Sequence, residues 1–154
     1  MKFQKYMAVG ILGLTMALGF SGCQSENQKN QDAYRKIGIN SMAEGDYDKA
    51  VKSFQKALDT SLGKIGAEEI DICYYKAAAQ FAKKDYDGAI ETYTSLIDYD
   101  KENANAYYLR GSVYLDTDKK DKAFKDYKNA VKYAGREYEI YEGIYENLTN
   151  KGET

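Results

Sequence analysis

The side chains able to do covalent or acid–base chemistry are few in this 154-residue chain. Histidine is absent, and the only cysteines are Cys23 and Cys73. Two thiols without an imidazole are too few ligands for a structural zinc site. The stretch SLGKIG (61–66) has glycines and a lysine but lacks the spacing of a phosphate-binding loop, and it follows a helical pattern rather than a strand. The 24 acids are scattered along helix exteriors, with no isolated pair in an apolar setting to tune for proton transfer. A formal charge of −2 supplies no basic field for nucleic acid. These residues predict a binding protein, not an enzyme, with no cofactor and no metal. The abundant functional side chain is tyrosine, present 16 times with no tryptophan. Its ring offers large contact area at low entropic cost, which suits recognition.

The elements that position these rings follow from an internal echo. GDYDKA (45–50) returns as KDYDGA (84–89) and again as KKDKAF (119–124). Aligned on Ala50, Ala89 and Ala123, apolar residues recur at matching offsets. The sets are Val51, Phe54, Ala57 and Leu58; Ile90, Tyr93, Leu96 and Ile97; and Phe124, Tyr127, Ala130 and Val131. Offsets of one, four, seven and eight mark one buried face of an α-helix. Each phrase is therefore a turn that opens a helix, with Gly45 permitting the tight turn and Asp46 or Asp48 capping the helix. Upstream of each turn lies a partner helix, aligned at Tyr34, Cys73, Tyr107 and Tyr141 and, four places on, at Gly38, Ala77, Gly111 and Tyr145. The small residues at the second place let paired helices approach closely. Cys73 stands where an aromatic stands in its counterparts, so it reads as a small buried hydrophobe.

This 34-residue helix–turn–helix pattern resembles the tetratricopeptide repeat, over residues 31–64, 70–103 and 104–137. The resemblance implies an all-α fold, a tetratricopeptide-type α-solenoid in residues 31–154. It departs from the family at Lys101, where the family has proline, and at Lys76 and Arg110, where it has apolar residues. Five extra residues within TSLGKIGAEE, with two glycines, predict a longer first junction. Residues 138–150 fit a further first helix, with Tyr141, Tyr145 and Leu148 at core places and Glu137, Glu139, Glu142, Glu146 and Asn147 outside. That helix is a C-terminal cap or a partial fourth repeat, and Gly152 stands where Gly45 stands.

In the family, successive first helices line a concave groove for extended peptides or partner helices. Carried over by position, the groove residues are Arg35, Ile39 and Met42, then Tyr74, Ala78 and Phe81, then Tyr108, Ser112 and Leu115. Tyr74 and Tyr108 are the leading binding candidates. Some members grip chaperone tails with a Lys/Arg and Asn carboxylate clamp. Only Arg35 fits that clamp, because Ile39, Tyr75, Asn105 and Leu109 occupy the other places. The expected ligand is a protein, peptide or helix, and the alternative is a glycan stacked on the groove tyrosines.

The N-terminus is a separate object. MKFQKY carries two lysines and no acid, a 14-residue apolar run MAVGILGLTMALGF follows, and Phe20-Ser21-Gly22-Cys23 ends it. The apolar run is shorter than the about 20 residues a membrane-spanning helix needs. The ending resembles a bacterial lipobox, with Phe20 where the pattern prefers Leu. The resemblance implies a signal peptide over 1–22 and a lipidated Cys23, anchoring the chain on the outer side of a bacterial membrane. Loss of Lys2 and Lys5 takes the formal charge from −2 to −4. Polar residues then read as a flexible tether, 23–30, between lipid and domain.

Overall fold

The computed structural model describes residues 26–61 and 63–152. Over that span the chain is all-α, with seven helices and no strand among the described residues. They are α1 (Glu26–Ala43), α2 (Tyr47–Asp59), α3 (Ala67–Ala82), α4 (Tyr86–Tyr99), α5 (Ala104–Asp116), α6 (Lys120–Ala134) and α7 (Tyr138–Lys151). The described residues form two compact units, one ending at Leu96 and the other starting at Ile97, so the divide falls inside α4. The N-terminal expectations, Cys23 included, lie outside the described residues. Part of the tether does not: Glu26–Asn30 already belong to α1. Glu, Gln and Lys are good helix formers, and Gln31, buried in the next turn, donates from Nε2 to Glu69 Oε1 at 2.8 Å.

The echoed phrases are three copies of one turn. Gly45, Lys84 and Asp118 all sit in the left-handed region, at φ of 78°, 68° and 57°. In each copy the next N–H reaches back five residues: Asp46 to Ser41 (2.9 Å), Asp85 to Gln80 (2.8 Å) and Lys119 to Tyr114 (2.8 Å). A bond spanning three residues accompanies each, from the N–H of Gly45 to Met42, of Lys84 to Phe81 and of Asp118 to Leu115. This is the Schellman ending, which satisfies the last carbonyls of the first helix. The residue after the left-handed one then starts the second helix. Asp46 accepts from the Lys49 N–H at 3.0 Å and Asp85 from the Gly88 N–H at 3.1 Å. Lys119 stands at that place in the third copy and makes no side-chain cap. Gly152 (φ 71°) ends α7 in the same left-handed conformation. The expected longer junction is the loop 60–66, closed by the Glu69 carboxylate accepting from the Gly66 N–H at 2.8 Å.

Paired helices meet at a ring on a glycine. A Cβ on Gly38 would lie 2.5 Å from Cε1 of Phe54, and one on Gly111 2.8 Å from Cδ1 and Cε1 of Tyr127. The small residue of the first helix therefore receives chiefly the aromatic four places after Ala50 or Ala123, rather than the alanine itself. In the unit ending at Leu96, Ala50, Phe54, Ala57, Ile72 and Ala79 form the core, with Val51, Leu58 and Tyr75 packed on it. In the other unit the core comprises Ala104, Tyr108, Leu115, Ala123, Tyr127, Ala130, Ala134, Ile140 and Ile144.

Three expectations need correction here. Phe124 and Val131 occupy the places of Val51 and Leu58 but stay exposed. Val51 and Leu58 share a cluster with Ile72 and Tyr75 of α3, whereas α7 leaves that stripe of α6 open. Tyr141 and Tyr145 are exposed as well, and Asn147 turns inward. In earlier repeats the aligned places face the second helix of the same unit, and no such helix follows α7 among the described residues. The helix instead buries Ile140, Gly143 and Ile144.

Arg110, at a place the family keeps apolar, is retained by an ion pair. Its Nε and Nη2 donate to Oδ2 and Oδ1 of buried Asp126 at 2.7 and 2.8 Å, while the guanidinium lies over the Tyr107 and Tyr114 rings. Two neighbouring α1 residues make the packing testable. Gly38→Ala should cost about 1–3 kcal/mol, because the methyl meets the Phe54 ring. Ser41→Ala should be neutral or stabilising by about 1 kcal/mol, since the Ser41 hydroxyl is buried without a hydrogen-bond partner. Urea unfolding curves for both variants check that the first loses stability and the second does not.

Candidate binding faces

The nine positions expected to line a groove fall into two different environments. In the unit ending at Leu96, α1 and α3 lie side by side, joined at one end by polar pairs. Arg35 Nε donates to Asp71 Oδ2 at 3.0 Å, Nη2 makes a second bond to the same oxygen, and the guanidinium sits 5.2 Å from the Tyr75 ring centroid. Tyr75 in turn stacks on Phe54 at 5.6 Å, so Arg35 is tied to the core through a ring relay. A basic side chain already held this way is poorly placed to clamp a terminal carboxylate.

Further along, Ile39 and Met42 are half-buried and pack against the core from α1. On α3, Tyr74, Ala78 and Phe81 are also half-exposed. Tyr74 leans on Tyr93 with centroids 6.3 Å apart, and Phe81 meets Tyr86 edge-on at 5.4 Å. Both rings are thus oriented by α4 while keeping an open side, the arrangement a recognition surface needs. Behind them, the buried Thr92 hydroxyl donates to Gln80 Oε1 at 2.8 Å, fixing α4 against α3.

The third set is placed otherwise. Tyr108 and Leu115 are buried, at 8% and 2% exposure, and Ser112 is half-buried. Helix α7 lies over them: Gly143 faces the Tyr108 phenol so closely that any Cβ there would collide with it. The Ser112 hydroxyl donates to the Tyr108 carbonyl at 3.0 Å and accepts from Asn147 Nδ2 at 2.8 Å. Asn147 also donates to the Tyr127 hydroxyl at 3.2 Å, and Lys151 pairs with Asp116 at 3.1 Å. Tyr108 and Leu115 therefore belong to the core rather than to a binding wall. Sequence reasoning missed this because it compared α7 with earlier helices 34 places back. The run Ile140, Gly143, Ile144, Asn147 at helical spacing was the available signal for the covering face.

The α1/α3 face also carries unusual charge. Burial first, then a side-chain hydrogen bond to Asp32 and the nearby charges of Asp32 and Glu69, push the Glu68 carboxyl up to about 7. Glu69 is partly buried too, but accepting bonds from Gln31 and the Gly66 N–H holds it below the ordinary carboxylate range. Among the described residues no cluster of acids and thiols forms a metal site. Burial raises the Cys73 thiol pKa, the opposite of what a nucleophile needs. No helix among the described residues is long and apolar enough to cross a membrane.

Comparison with known proteins decides the family. A tetratricopeptide repeat family model matches residues 32–62 and 104–136, and a second TPR repeat model matches 77–118, together more than half of the chain. The chain is built of tetratricopeptide repeats. Similar solved structures include the Arabidopsis OM64 TPR domain, 17% identical over 80% of this chain and 98% of that one, with a TM-score of 0.65. The first TPR of Spaghetti (RPAP3), bound to an HSP90 peptide, is 18% identical over 84% and 98%, at 0.63. The C-terminal TPR-containing domain of a Plasmodium falciparum FK506-binding protein is 16% identical over 83% and 92%, at 0.61. At these identities the likeness is one of fold. No curated protein matches the sequence significantly.

The Glu68–Asp32 pair gives the repeat domain a pH signature. The Glu68 pKa rises from an ordinary 4.5 to about 7 on folding, so the native state holds the extra proton. The pair's contribution to stability is then full below about 4.5 and lost as pH rises through about 7. Glu68→Gln should therefore stabilise the protein relative to wild type at pH 8 but not at pH 4 (about the extremes of this titration), read as the difference in thermal midpoints at the two values.

Proposed function

We propose that this chain is a lipid-anchored scaffold of the bacterial cell envelope that holds a protein partner at the α1/α3 face. The carrying observation is that face itself. Half-exposed Ile39, Met42, Tyr74, Ala78 and Phe81 lie beside a polar end where Asp32, Glu68, Glu69 and Asp71 outnumber Arg35. Apolar side chains offer contact area to a peptide or helix, and the acid excess favours one that carries Lys or Arg. Engagement of Arg35 by Asp71 and the absent Asn places argue against an acidic chaperone tail. The HSP90 peptide on the RPAP3 domain is an example of a related fold holding a peptide.

Anchoring is inferred from the N-terminal order of Lys2, Lys5, the apolar run and the small residues before Cys23. With two or three acyl chains on Cys23, each buried methylene contributing about 0.8 kcal/mol, the domain stays on the membrane and works by holding other envelope proteins.

Two measurements test the two halves separately. A lipoprotein signal-peptidase inhibitor should make a precursor retaining residues 1–22 accumulate, and unchanged processing would contradict the anchor. Pull-downs from solubilised membranes should recover a partner with the wild-type chain. Recovery should fall at least about tenfold (~1.4 kcal/mol) with Tyr74→Ala or Phe81→Ala. Equal recovery by folded variants would remove the α1/α3 face as the site.

A further inference from the structure

A second surface, on the other unit, is distinct from the α1/α3 face. Phe124 and Val131, one face of α6 at a spacing of seven, are each 43% exposed. On α7, Tyr138, Tyr141 and Tyr145 are 72%, 37% and 67% exposed. The two stripes meet in one seam. The Tyr141 hydroxyl reaches across to donate to the carbonyls of Val131 (3.4 Å) and Gly135 (3.2 Å), while Asn147 reaches Tyr127. The helices therefore run antiparallel, with their exposed apolar stripes adjoining. Scattered single apolar residues need no explanation, but five large exposed ones on one side of two touching helices do.

The charges bordering the seam say what covers it. At 100° per residue, Lys125, Lys128 and Lys132 lie on the flank of α6 turned away from α7, where they outnumber the one acid of that flank, Asp121 in the first turn. By the same rotation, Glu139, Glu142 and Glu146 lie on the flank of α7 turned away from α6. The three lysines and three glutamates are all exposed. The surface thus runs from a lysine edge, across five apolar side chains, to a glutamate edge. A surface of this kind is its own complement. Under a two-fold axis, α6 of one copy lies across α7 of the other, and each lysine edge meets a glutamate edge. The alternative, α6 on α6 and α7 on α7, opposes like charges along both borders.

We propose that the α6/α7 seam is a homodimer interface, in which a second copy of this chain covers Phe124, Val131, Tyr138, Tyr141 and Tyr145. The contact is isologous and closes on itself, so the product is a discrete dimer and not a filament. It is built from α6 and α7 residues alone, none of which belongs to the α1/α3 face, and the two readings stand or fall separately.

Edge charge reversal on the full chain in mild detergent tests this by sedimentation velocity. Wild type should be a dimer. Glu142→Lys/Glu146→Lys makes both borders basic, and Lys125→Glu/Lys128→Glu makes both acidic. Each variant alone should dissociate, with at least about a tenfold rise in Kd, because like charges now meet. Mixing the two variants should restore association as a heterodimer. Circular dichroism of these exposed-site variants verifies that they fold. A wild-type chain that stays monomeric at about 100 µM overturns the proposal. So does a dimer indifferent to both reversals, and so does failure of the mixture to reassociate.

Discussion

Two of the three helix pairs, α1/α2 and α5/α6, depend on an aromatic ring seated on a glycine. Phe54 against Gly38 and Tyr127 against Gly111 bring the two helices of a repeat to a separation that no Cβ would permit. The contact needs a short turn of one geometry between the helices, and all three copies have it. A left-handed residue followed by a Schellman bond returns the chain at one angle, so the ring arrives at the glycine. Where the turn uses Lys84 or Asp118 instead of glycine, the positive φ persists. The backbone strain, roughly 1–2 kcal/mol per residue, is offset by packing that would be lost if the turn relaxed.

Function follows from which faces this packing leaves open. A first helix buries one side on its own second helix and offers another. In the unit ending at Leu96, that offered side keeps Tyr74 and Phe81 half-exposed and holds an acid excess. In the other unit, α7 occupies the equivalent side, converts Tyr108 and Leu115 into core and engages half-buried Ser112 through Asn147. Covering one face uncovers another, because α7 has no second helix of its own among the described residues. Tyr141 and Tyr145 consequently stand out, along with Phe124 and Val131 of α6.

The repeat, the helix pairs, the turns and most core positions were legible in the sequence, since each is a local pattern written three times. Ala50, Phe54, Ala89, Tyr93, Ala123 and Tyr127 needed only periodicity to be placed inside. Exposure at the end of a repeat series was not legible in the same way. Phe124 and Tyr145 obey the repeat pattern, but their burial depends on a neighbouring helix that the pattern presumes. The Arg110–Asp126 pair was equally hidden: an arginine at an apolar place reads as a departure until the carboxylate one helix away is seen. The Glu68–Asp32 pair joins separate helices, α1 and α3, with no spacing rule to reveal it.

The central claim is that the α1/α3 face is the working surface of an envelope scaffold. It is tested most directly by placing a photo-reactive side chain at Ala78 and irradiating intact cells. Exposed Lys52 on α2 serves as the comparison position. Discrete protein adducts from position 78, absent or much weaker from position 52, are the predicted result. Equal labelling at both positions, or none at 78, would contradict the account.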